Sequence, residues 1–118
     1  MKKTFDVFRV DDLGLTEPRL STNKINKFGD AVYATTSFNY LYRFLSSNNT
    51  IYRLTIEPKN YKVFKNKLEF IRTIGSLKKD DIMPYIKENG IDLVIIEKSD
   101  SGFIEYVIYD LDIIKNFE

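Results

Sequence analysis

Phe103-Ile104-Glu105-Tyr106-Val107-Ile108-Tyr109-Asp110 is a run of aromatic and β-branched residues, the composition of a β-strand, interrupted by one carboxylate. Strand alternation puts Phe103, Glu105, Val107 and Tyr109 on one face and Ile104, Tyr106 and Ile108 on the other. Glu105 therefore shares a face with three apolar or aromatic residues. A carboxylate in that position either faces a polar cleft or suffers desolvation, and the cleft is lower in free energy. Glu105 is for this reason the leading candidate for a functional residue.

Working outward, Ser99–Gly102 reads as a hairpin turn between this strand and a buried strand at Leu93–Ile96. Asn89-Gly90 closes a preceding helix with a left-handed cap, and Asp80 or Asp81 caps its start, with Pro84 in the first turn. Leu68–Ile74 fits helix or strand, and Val63-Phe64 continues or restarts a strand. Ile51–Ile56 is a strand ended by Glu57-Pro58. Ser37 stands at the N-cap of a helix over Phe38–Leu45, preceded by a strand at Ala31–Thr35 and the turn signal Gly29-Asp30. Phe5–Val10 alternates as a first strand, and Asp11–Phe28 is a long polar connection containing Gly14 and Pro18. The expectation is a small α+β domain with a mixed β-sheet core and two or three helices, one unit over residues 1–118 without repeat or linker.

Composition narrows the chemistry. A hydrophobic fraction of 43% with 30% charged residues describes a folded globular chain. The net charge of +1 gives no global electrostatic case for nucleic acid or an acidic membrane. Lysines gather at Lys59–Lys67 and Lys78-Lys79, which reads as a solvated helix face, with a local basic patch as the alternative. There is no cysteine and no histidine, so no disulfide, thiol nucleophile, imidazole base or Cys/His metal site is available. Carboxylates, Arg, Lys, Tyr, Ser and Thr remain. Thr4–Val10 carries Asp6 and Arg9, unlike the apolar core of a secretory leader, and no segment has the length of a membrane span. The expected location is the cytoplasm, with delivery into another cell left open.

Three segments in chain order together resemble an ADP-ribosyltransferase domain. They are Val7-Phe8-Arg9-Val10-Asp11-Asp12, Gly29-Asp30-Ala31-Val32-Tyr33-Ala34-Thr35-Thr36-Ser37, and Glu105-Tyr106-Val107-Ile108-Tyr109-Asp110. The last is similar to the catalytic-glutamate strand of the poly(ADP-ribose) polymerase branch, and the second to that branch's glycine-to-tyrosine strand. Thr35-Thr36-Ser37 resembles the Ser-Thr-Ser element of the cholera-toxin-like branch, and Arg9 stands where that branch has its arginine. The resemblance implies a split-sheet fold and NAD as a consumed substrate, without a metal. It makes Glu105 catalytic and Arg9, Tyr33, Thr35, Thr36 and Ser37 NAD-binding. It further implies a mono-ADP-ribosyltransferase, of the kind found in toxin–antitoxin modules and phage effectors. A protein or nucleic acid would be the acceptor and an antitoxin or immunity protein a partner, with no membrane involved. Phe103 occupies the position where arginine-modifying members carry a Glu or Gln, so the acceptor stays open.

The chemistry accounts for these residue types. Cleavage of the nicotinamide–ribose bond passes through an oxocarbenium-like transition state, as in glycoside hydrolysis, and a nearby carboxylate stabilises the growing charge. An arginine offers permanently charged donors to a pyrophosphate or ribose, and a tyrosine ring can stack on nicotinamide. Each residue also has a plainer reading. Arg9 can pair with Asp11 or Asp12, Tyr33 can be a core aromatic, Thr35–Ser37 can be strand propensity and a helix cap, and Glu105 can be an edge-strand charge. Phe38, Tyr40, Tyr42 and Phe44 can line a nicotinamide pocket but read mostly as core, Tyr52 and Tyr61 as packing residues, and Asp110 and Asp112 as solvated or capping carboxylates. Two other functions stay open: NAD glycohydrolysis with water as acceptor, and a non-catalytic nucleotide- or partner-binding domain of the same fold.

Overall fold

The computed structural model of the chain describes residues 3–20, 28–76 and 78–118. Residues 21–27 of the Asp11–Phe28 connection lie outside them. The described residues form seven strands, β1 (Phe5–Asp12), β2 (Val32–Ala34), β3 (Asn49–Ile56), β4 (Tyr61–Asn66), β5 (Leu93–Lys98), β6 (Glu105–Ile108) and β7 (Ile114–Phe117). Three helices accompany them, α1 (Phe38–Leu41), α2 (Lys67–Ile74) and α3 (Lys79–Glu88). The α+β expectation holds.

The strands make two sheets. β1, β3 and β7 form an antiparallel three-stranded sheet in the order β1-β3-β7. The other is mixed, ordered β2-β6-β5-β4, with β4 parallel to β5 and the remaining pairs antiparallel. Alternation along β5 explains how the layers stack. Leu93 and Ile95 face Val7, Leu54 and Ile56 of the three-stranded sheet, while Val94 and Ile96 face Phe70 of α2 and Ile82 and Ile86 of α3. The mixed sheet is thus covered on both faces, and β5, one of its two inner strands, reads as an unbroken apolar run over Leu93–Ile96. Strand parity in β6 follows the sequence expectation: Tyr106 and Ile108 join the sheet–sheet core and Val107 the helix-side core.

Between the sheets runs one backbone seam. Phe8 N donates to Thr35 O and Thr35 N to Phe8 O, both at 2.8 Å, joining the edge of β1 to the end of β2.

Several elements depart from the sequence expectation. The first strand continues to Asp12, two residues into the expected connection. The segment Val63-Phe64 belongs to a full edge strand, so Lys62 and Lys65 stand on a sheet edge rather than on a helix face, where they discourage edge-to-edge pairing. Leu68–Ile74 resolves as helix because Asn66 caps it, accepting from Glu69 N, and Gly75 ends it at φ 86. Helix α3 begins at Lys79, ahead of the expected aspartate cap. Asp80 and Asp81 lie in its first turn, suited to the helix dipole, and Pro84 falls beyond that turn, inside the helix. The predicted helix over Phe38–Leu45 is a single α-turn followed by a 3₁₀ turn at Tyr42–Phe44. Only Leu41 in that stretch is buried, so its aromatics are not core. Among the described residues no helix is long and apolar enough to cross a membrane.

Candidate functional site

Beside the Phe8–Thr35 seam lies a cavity of about 750 Å³, within the size range of small-molecule sites. Residues from β1, β2, α1, the β5–β6 hairpin and β6 line it. Arg9, Tyr33, Thr35 and Glu105, separated by up to 96 positions in the chain, all contribute to its wall.

Glu105 opens β6 opposite Ile96 and is half-buried. It lies close enough to Tyr33 and Tyr109 to add to the rise in both phenol pKa values. Burial is the larger cause in each case, pushing both hydroxyls above the usual tyrosine range. The backbone just before Glu105 is held by Thr35, whose buried hydroxyl donates to Ile104 O at 2.6 Å and accepts from Ser37 N at 3.1 Å. Thr35 therefore orients the glutamate strand, and its hydroxyl is engaged by the protein itself.

Arg9 projects from β1 with its side chain 19% exposed. Its Nε donates to Asp11 Oδ2 at 3.2 Å and its Nη1 to Tyr33 O at 2.9 Å. The plainer reading of Arg9 as a partner of Asp11 is correct as geometry. Yet the pair lies in the cavity wall, and a guanidinium fixed on two sides keeps further N–H donors for a ligand.

Tyr33 also lines the cavity, but its hydroxyl is bound to backbone: it donates to Gly29 O at 2.6 Å and accepts from Phe28 N at 3.2 Å. Thr36 is exposed and lies outside the cavity wall, as does Ser37, whose hydroxyl caps α1 by accepting from Tyr40 N. The arrangement brings together four of the six expected site residues and leaves Thr36 and Ser37 aside.

The aromatic wall was only partly foreseen. Tyr40 and Phe44, read mostly as core with a pocket wall as the alternative, line the cavity with Phe103. Tyr40 packs 5.1 Å from Phe44 and 5.2 Å from Phe103, centroid to centroid, and the Arg43 guanidinium sits 5.5 Å from the Phe103 ring. The parity that puts Phe103 on the face of Glu105 was the available signal for it. The charged residues of the described wall are Arg9, Asp11, Asp12, Asp100 and Glu105, so carboxylates outnumber cations. Among the described residues no group of three or more acidic side chains is arranged to hold a metal ion.

Comparison with known proteins adds no family to this geometry: no family model, curated protein or solved structure matches the chain.

Proposed function

We propose that the protein is a mono-ADP-ribosyltransferase that cleaves the nicotinamide–ribose bond of NAD and passes ADP-ribose to a protein or nucleic-acid acceptor. The observation that carries this reading is the convergence of Arg9, Tyr33, Thr35 and Glu105 on one aromatic-walled cavity. The two sheets beside that cavity suit the split-sheet fold that the sequence resemblance implies.

The cavity chemistry supports the same reading. NAD presents a positively charged pyridinium ring at the end where the reaction occurs. Rings such as Tyr40, Phe44 and Phe103 attract a flat cation through their faces. When the C1′–N bond breaks, both electrons stay with nitrogen and the positive charge passes to the ribose. Nicotinamide leaves neutral, so the step needs no general acid, which fits a chain without histidine. Glu105 stabilises the oxocarbenium charge and the ribose hydroxyls. The acceptor then bonds to C1′ and gives up its proton to solvent. Arg9 is the donor for the pyrophosphate or ribose edge.

Nicotinamide release from NAD by the purified protein tests this, with Glu105→Gln as the control because it keeps the side-chain shape. Wild type is expected to release nicotinamide, and the variant to do so about 10²- to 10³-fold more slowly. Equal rates would remove Glu105 from the chemistry. No release by wild type, with or without lysate, would remove the enzymatic reading and leave a non-catalytic binding domain. Release that yields only free ADP-ribose would make the protein an NAD glycohydrolase.

A further inference from the structure

Phe28 and Gly29 form a corner where the chain enters β2. Phe28 is 2% exposed and its ring lies edge-on to Phe70 at 4.9 Å, while the same residue contributes to the cavity wall. Buried backbone groups require partners, and the β2–β6 ladder begins only at Val32. Two phenols take the place of a ladder. Tyr33 Oη accepts from Phe28 N and donates to Gly29 O, and Tyr109 Oη donates to Phe28 O at 2.7 Å.

The corner is also closed from the helix side. Gly29 has φ 95, and the space that a β-carbon would need is filled by Met83 Sδ of α3. Lys79 Nζ, at the start of the same helix, lies 2.5 Å from Asp30 Oδ1. Tyr109 itself is not part of the cavity wall.

We propose that Tyr109 is a positioning residue of the NAD site: its hydroxyl fixes the Phe28–Gly29 corner, which in turn fixes the cavity wall at Phe28 and the Tyr33 ring beside Glu105. The inference rests on the function proposed above. Removing the hydroxyl leaves the Phe28 carbonyl without its donor, so the corner shifts and the pocket loses its shape for the nucleotide, while β6 and Glu105 stay in register.

Tyr109→Phe tests this, compared with Ile86→Val, which trims the helix-side core and leaves the corner's phenol hydrogen bonds in place. Steady-state nicotinamide release and amide hydrogen exchange are measured at a temperature where both variants are folded. For Tyr109→Phe the KM for NAD is expected to rise about tenfold with kcat within about threefold of wild type. The amides of Phe28 and Gly29 are expected to exchange about tenfold faster than in Ile86→Val. Tyr33→Phe, which releases the same corner from its other side, moves both readouts in the same direction. A Tyr109→Phe variant whose KM and exchange match those of Ile86→Val overturns the proposal. Wild type that releases no nicotinamide defeats the proposed function and the positioning role with it. Exchange then still reports separately whether the hydroxyl holds the corner.

Discussion

At the scale of single residues, the two phenols at the corner make a pH-dependent contribution to stability. Burial raises the folded-state pKa of Tyr33 and Tyr109, so the folded protein retains protons that the unfolded chain gives up. Their contribution is fully present below the unfolded tyrosine value of about 10 and is lost as pH rises from there toward the folded values. Each phenol adds a slope of about 1.4 kcal/mol per pH unit in that window. Urea unfolding between pH 9 and 11 is expected to show a steep loss of stability that is shallower in Tyr109→Phe; parallel curves would contradict it. The sequence singled out Glu105, which lies in the cavity wall, because a charge breaking a strand's apolar parity is a local signal. Tyr109 was not legible in the same way. Its partner is a backbone carbonyl 81 positions away, and nothing in the side-chain pattern marks a peptide group as a partner.

Among the elements, local chemistry was legible where a cap or turn enforces it. The β5–β6 hairpin closes through Gly102 N donating to Ser99 O and Ser99 N to Phe103 O, as Ser99–Gly102 indicated. Ser37 caps α1 and Asp110 caps the short turn before β7, each from its own side chain. Helix α2 depends on such a device as well. Asn66→Ala is expected to lower stability by about 1 kcal/mol, seen as a lower urea midpoint with unchanged slope. Gly29→Ala is expected to cost more, about 1–3 kcal/mol, because it combines a left-handed backbone with the Met83 contact; an unchanged midpoint would show that the helix side of the corner yields freely. The α1 stretch was ambiguous because its aromatics have the composition of a core, while Tyr40 and Phe44 follow the alternative reading and serve a cavity wall. The edge strand β4 was obscured because its exposed lysines interrupt an apolar pattern in which only Phe64 is buried.

Across the whole molecule, the layers share one sheet, and strand β5 belongs to both cores. Ile95→Ala empties space on the sheet side and Ile96→Ala on the helix side, each costing about 2–5 kcal/mol. Unfolding is expected to remain a single transition in both variants, with far-ultraviolet circular dichroism and tyrosine fluorescence coincident. A second transition in either would mean that the layers unfold separately. The α+β class was legible from the succession of strands and helices, and the β5–β6 pairing from its hairpin turn, but the remaining pairing was not. β3 and β4 follow one another in sequence and enter different sheets, because strand order depends on partners distant in the chain. The Phe8–Thr35 seam has one more consequence. Both of its bonds join peptide groups, so it places no demand on side-chain identity at Phe8. A substitution at Phe8 can therefore change what the cavity accepts while the spacing of its two banks stays the same, so the seam separates specificity from frame.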